Sequence, residues 1–96
     1  MDVRFLTIAE QEVEDAYGWF EGRTEGKGVE FLDELDRVVR LIRSFPFAAL
    51  EIEPEIRRSL LERFPYMVVY VLEHQTIVVV AVAHTRTTPH VIGLIE

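Results

Sequence analysis

Apolar positions along this chain recur first at helical spacing and then at strand spacing, and the change falls near Pro54. Val3–Leu6 alternates like a short strand, with Val3 and Phe5 on one side. Thr7 is placed to cap a helix, and Glu10, three residues on, completes a capping-box pattern. Ala9, Val13, Ala16, Tyr17 and Phe20 then form an apolar stripe, which Gly22 and Gly26-Lys27-Gly28 end in a turn. A second helix is predicted over Val29–Ser44, with the stripe Phe31/Leu32, Leu35, Val38/Val39 and Ile42. On its outer face Asp33 with Arg37, and Asp36 with Arg40, are acid-before-base pairs at i,i+4. Arg40 and Arg43 suit the negative end of the helix dipole. Phe45-Pro46-Phe47 stops the helix, and a connector runs to Pro54.

Beyond Pro54, Ile56–Glu62, Tyr66–Glu73 and Thr76–His84 read as three strands rich in Val, Ile, Leu and Tyr. His74-Gln75 is the expected hairpin tip. Ile77–Ala83 is apolar on both faces, which predicts a central strand covered on both sides. The expected fold is α+β, in the order β-α-α-β-β-β, with two N-terminal helices on one face of a small antiparallel sheet. A two-residue turn at His74-Gln75 would set Arg63 opposite Arg86 and Pro65 opposite His84. His84 and Arg86 would then share a face with Met67 and Val69, while Tyr66, Tyr70, Ile77, Val79 and Ala83 would face the helices.

Composition narrows the class. With 96 residues, 49% of them hydrophobic, one domain over residues 1–96 with a true core is expected. The absence of cysteine removes disulfides, thiol nucleophiles and thiolate metal sites, and fits a reducing cytoplasm. Met1-Asp2-Val3-Arg4 has no signal-peptide pattern, and no apolar run is long enough for a membrane helix, so a cytoplasmic protein without a membrane partner is expected. The net charge of −7 argues against nonspecific nucleic-acid binding. That charge is uneven. Residues 1–53 carry 13 acids and 6 bases, whereas residues 54–96 carry 4 of each. The acids are expected to solvate helix faces. The electroneutral half holds Arg57, Arg58, Arg63 and Arg86 with His74, His84 and His90, and is the expected anion-facing surface.

Those arginines sit in a recognisable setting. Ile56-Arg57-Arg58-Ser59-Leu60-Leu61-Glu62-Arg63-Phe64-Pro65-Tyr66-Met67-Val68-Val69-Tyr70 resembles the stretch that RelE/ParE-superfamily toxins carry over their second and third strands. Ile77–Val82 followed by Ala83-His84-Thr85-Arg86 is similar to the family's last strand and its His-x-Arg ending. Gly28, Phe31 and Phe45-Pro46 fit the helical half. The similarity is greatest to the ParE-like branch, often labelled plasmid-stabilisation proteins. It implies the toxin of a type II toxin–antitoxin system, inhibiting growth and neutralised by a cognate antitoxin, as a homodimer or a toxin–antitoxin hetero-oligomer. RelE-like members cleave mRNA on the ribosome and some ParE members poison DNA gyrase.

By this resemblance, Arg63, His84 and Arg86 are the expected catalytic group, and Arg57, Arg58, Arg63 and Arg86 the expected anion- or antitoxin-binding group. Metal-free RNA cleavage needs a base for the 2′-hydroxyl, charge stabilisation at phosphorus and an acid for the leaving oxygen. Two departures weaken that chemistry here. Ile52-Glu53-Pro54-Glu55 is acidic where RelE-like chains carry lysines, and no tyrosine follows Arg86. Gyrase poisoning is therefore favoured over mRNA cleavage, and whether the protein is an enzyme stays open. The alternative is a degenerate, non-toxic member that acts only as a binding module. No cofactor is implied, and the spacing of His84 and His90 matches no metal site. The apolar Val91–Ile95 tail is expected to pack on the sheet or under a partner.

Overall fold

The computed structural model describes residues 1–86. The expectations for Thr87–Glu96, including His90 and the apolar tail, lie outside the described residues. The elements run β1 (Asp2–Phe5), α1 (Thr7–Arg23), α2 (Lys27–Ser44), β2 (Leu50–Glu53), β3 (Ile56–Leu60), β4 (Tyr66–Glu73) and β5 (Thr76–His84). Five strands form one sheet in the order β1-β5-β4-β3-β2. The fold is α+β with both helices on one sheet face, as the periodicity predicts. Two features enlarge it. β1 lies parallel to β5, so the sheet is mixed. Leu50–Glu53, inside the expected connector, pairs antiparallel with β3 as an edge strand, with an irregularity between Glu51 and Glu53.

The helix side of the sheet is the main core. Ala9, Ala16, Phe31, Leu35, Val38 and Ile42 pack there on Val68, Tyr70, Ile77, Val79 and Val82. Phe31 anchors an aromatic cluster, with ring centroids 5.3 to 5.6 Å from Tyr66, Phe64 and Phe20. Tyr70 is fully buried and donates its hydroxyl to the Pro46 carbonyl at 2.8 Å, tying the loop after α2 to β4. The other sheet face carries a second buried cluster of Ile56, Met67, Val69, Val78, Val80, Ala81 and Ala83. This is why β5 reads as apolar on both faces.

Helix boundaries differ from the periodic reading in two places. Thr7 is the first residue of α1 rather than its cap; Leu6 holds the cap position and no side chain caps the helix. Leu6 remains extended because its N–H still donates to the Val79 carbonyl at 3.0 Å, so the helix cannot begin until Thr7. α2 starts two residues earlier than predicted because Gly26 adopts a left-handed conformation (φ 86°) and Glu21 caps the turn. The Glu21 carboxylate accepts the N–H groups of Gly26 and Gly28, both at 2.9 Å, at the positive end of the helix. Arg40 pairs with Asp36 as spaced, but Arg37 turns from Asp33 to Glu34 (3.4 Å) and Glu62 (3.5 Å).

The β4–β5 hairpin decides what faces what. The turn at His74-Gln75 is the expected two-residue tip, with both residues at positive φ. Pairing then runs Glu73↔Thr76 to Tyr70↔Val79, but jumps to Val69↔Ala81. Val80 is the extra residue of a bulge. Past the bulge every pairing moves by one: His84 faces Tyr66 instead of Pro65, and Ala83 turns away from the helices.

Candidate functional site

Where β1 ends, a cleft opens. β1 pairs with β5 only as far as Phe5↔Val79. Beyond that point α1 crosses in place of a strand, and Glu12 fills the gap. Its Oε1 accepts the Val82 N–H at 2.9 Å, a bond the absent strand would otherwise make. The resulting cleft between α1 and the end of β5 has a volume of about 600 Å³. Glu12, Asp15, Trp19, Phe20, Tyr66 and His84 are among its walls.

The cleft is acidic and aromatic. Burial pushes the Glu12 carboxyl above its ordinary range; the Val82 N–H opposes this, and the Asp15 charge adds to it. Burial also raises the Tyr66 hydroxyl, with the Glu12 charge as a second cause. The His84 ring lies edge-on to Tyr66 with centroids 5.4 Å apart. Its Nδ1 accepts the Arg86 N–H at 3.1 Å, which fixes the ring against the end of the strand. Trp19 is half exposed, and Arg23 stacks over it at 4.1 Å.

The four C-terminal arginines do not form one cluster. Arg57 lies on the helix side at the sheet edge, donating to the carbonyls of Phe47 (3.0 Å) and Ala49 (2.7 Å) and pairing with Glu51 at 3.5 Å. Arg58 is paired with Val69 and so points to the opposite sheet face. Arg63 is in the β3–β4 loop, with its guanidinium 3.2 Å from Glu30 of α2. Arg86 follows β5, beyond the last ladder pair. Among the described residues Arg58 and Arg86 make no ion pair. Of the expected catalytic group, His84 and Arg86 are neighbours, while Arg63 is tied to α2.

The loop holding Arg63 is itself built on a carboxylate. Glu34 is buried in α2, and its Oε2 accepts the N–H groups of Glu62 (2.6 Å) and Arg63 (3.2 Å). Burial alone would raise this carboxyl. The Glu62 N–H, the Arg37 guanidinium and the Arg63 N–H outweigh burial and hold it below its ordinary range.

Sequence reasoning overlooked Glu12, Asp15, Trp19, Tyr66 and Glu34 as site residues. A signal for two of them was present. Glu12 is three residues after Ala9 and four before Ala16; Glu34 stands in the same relation to Phe31 and Val38. An acid on the buried stripe of a helix must find donors.

The described residues contain no group of three metal-ligating side chains. None of their helices is long and apolar enough to cross a membrane. Comparison with curated proteins gives no match. Among solved structures, the chain resembles one described as the chromosomal ParDE TA system from P. aeruginosa, with a TM-score of 0.75 and 15% sequence identity. That likeness covers 88% of this chain and 95% of the other, and it establishes a shared fold. The family model for the ParE toxin of the type II toxin–antitoxin system parDE matches residues 3–89. With the helical hairpin, the mixed sheet and the His-x-Arg strand end in place, the chain belongs to the ParE toxin family of type II toxin–antitoxin systems.

Proposed function

We propose that this protein is a growth-inhibiting toxin held in check by an antitoxin, and that it acts on DNA gyrase rather than by cutting mRNA. The placement of the arginines carries this reading. Cleaving RNA without metal requires cations converging on one phosphate. Here Arg63 is neutralised by Glu30, Arg57 is taken up by backbone carbonyls and Glu51, and His84 shares its cleft with Glu12 and Asp15. A phosphate backbone entering that cleft would meet two carboxylates. Of the four C-terminal arginines, Arg58 and Arg86 make no ion pair among the described residues, and these two are offered to an acidic partner segment, such as part of the antitoxin.

The test is induction of the chain alone and together with its neighbouring small reading frame, followed by two assays on purified protein. Growth arrest relieved by co-expression, with loss of gyrase supercoiling and intact ribosome-bound mRNA, is the expected outcome. Cleavage of mRNA on the ribosome with supercoiling unaffected would overturn the gyrase reading. Undisturbed growth would favour the non-toxic binding module.

A further inference from the structure

The cleft between α1 and β5 has charge that the fold leaves unmatched. Glu12 and Asp15 are one helical turn apart on α1 and face the same space. Six ion pairs stabilise the described residues, yet neither of these carboxylates takes part in any of them. Each uses one oxygen within the protein: Glu12 accepts the Val82 N–H, and Asp15 accepts a bond from Gln11 at 3.0 Å. The second oxygen of each makes no hydrogen bond among the described residues, and neither does the Tyr66 hydroxyl. Arg23 stacks on Trp19 but contacts neither carboxylate as an ion pair. The cleft is also mostly apolar in its walls, and its volume lies in the range of pockets that enclose an organic ligand.

We infer that this cleft receives an arginine side chain of a partner polypeptide, flanked by apolar residues, with Glu12 and Asp15 as the charge partners. A guanidinium is planar and carries five donors, so it can serve both free carboxylate oxygens and the Tyr66 hydroxyl together. Its flat faces suit the aromatic rings lining the cleft, and Arg23 on Trp19 is an example of that contact within the protein. An anionic segment is excluded by the same two carboxylates. The flanking apolar side chains follow from the surrounding Ala16, Phe20 and Val82. The identity of the partner as the antitoxin rests on the toxin reading above; the chemistry of the cleft does not.

The chain's single tryptophan lines the cleft and reports on it directly. The probes are acetyl-Leu-Arg-Leu-amide, the same peptide with citrulline in place of arginine, and the same with glutamate. Titration of purified protein, followed by Trp19 fluorescence and the Trp19 indole NMR resonance, should saturate with the arginine peptide. Citrulline, which keeps the shape but loses the charge, should bind about tenfold more weakly, and the glutamate peptide should not bind. Asp15→Asn should weaken the arginine peptide about threefold to tenfold and bring it towards the citrulline value. Asp15 is exposed, so this variant leaves the fold intact; Glu12→Gln is the second variant, with circular dichroism as its folding control. Equal binding of the arginine and citrulline peptides would overturn the inference and leave only an apolar groove. Concentration-dependent self-association abolished by Asp15→Asn would overturn it in favour of a second copy. Growth arrest is scored separately, so a non-toxic protein that still discriminates arginine from citrulline would defeat the toxin reading alone.

Discussion

Replacing Glu34 tests whether the Arg63 loop is held from α2. The carboxylate is 8% exposed and accepts two backbone N–H groups, from Glu62 at 2.6 Å and Arg63 at 3.2 Å, besides the Arg37 guanidinium at 3.4 Å. Alanine would remove the acceptor and leave both N–H groups facing a small void. Hydrogen bonds to charged groups are worth about 1.5–3 kcal/mol each, and the Arg63 contact is the longer. The two together predict a loss of about 2–4 kcal/mol for Glu34→Ala. In a domain of this size that lowers Tm by roughly 10–20 °C. All three donors meet Oε2, so Glu34→Gln keeps a carbonyl acceptor for them but removes its charge, and should lose about half as much. The dependence on pH separates this account from simple packing loss. A carboxyl held below its ordinary value stabilises the fold above pH ~4.5, and that contribution disappears as pH falls through the folded-state pKa. The gap between wild type and Glu34→Gln should therefore be full at pH 7 and narrower at about pH 3.5, below the ordinary carboxyl value. Urea unfolding followed by far-UV circular dichroism at both pH values measures it. A loss under about 0.5 kcal/mol for the alanine variant at pH 7, or a gap that does not change with pH, would refute the reasoning.

Three further outcomes follow from the same structure. Tyr70→Phe leaves the partly buried Pro46 carbonyl without its donor and should cost about 1–2 kcal/mol in urea unfolding. Gly28→Ala brings a Cβ to 2.7 Å from the Tyr17 ring and 2.9 Å from Glu21 Oε1; despite the better helix propensity of alanine, Tm should fall, and a raised Tm would show that Tyr17 yields freely. Phe31→Ala empties the centre of the aromatic cluster and should cost about 3–5 kcal/mol, measured as a shift in the denaturation midpoint.

How far the fold could be read depended on whether a residue's environment was local. The apolar stripes of α1 and α2 fix their own faces, so both helices and their shared sheet face were legible. The hairpin tip at His74-Gln75 was also legible, because two strand patterns meet there. The bulge at Val80 was not. β5 is apolar on both faces, so an inserted residue leaves no mark on its pattern, yet it decides that His84 joins Tyr66 on the helix side. β2 was hidden for a related reason. Leu50–Glu53 is a short edge strand with acids at alternate positions, and only pairing with β3 makes it a strand. The candidate site followed the same rule: His84 could be picked from its motif, whereas its neighbours Glu12 and Asp15 come from a helix some seventy residues away.

The acidity of the N-terminal half takes on a different meaning once those neighbours are known. Acids on an amphipathic helix are expected to solvate it, and most of these do. Three instead stand where an element loses its backbone partners. Glu12 takes the Val82 N–H where β1 has ended. Glu21 takes the Gly26 and Gly28 N–H groups where α2 begins. Glu34 takes the Glu62 and Arg63 N–H groups where β3 has turned off the sheet. Each replaces a missing carbonyl with a charged acceptor. Glu34 has Arg37 beside it, and Glu21 divides its two oxygens between two donors. Glu12 has neither a described cation beside it nor a described donor on its second oxygen, and the neighbouring Asp15 carboxylate has no described cation. The junction between strand and helix therefore closes the sheet edge and, by the same bond, leaves negative charge in an open aromatic cleft. A fold that needed only the edge closed could have used a neutral glutamine there, so comparing Glu12→Gln for stability and for arginine-peptide binding separates the two roles. Unchanged urea stability with weakened binding is the expected pattern, and an equal loss of both would return Glu12 to the architecture alone.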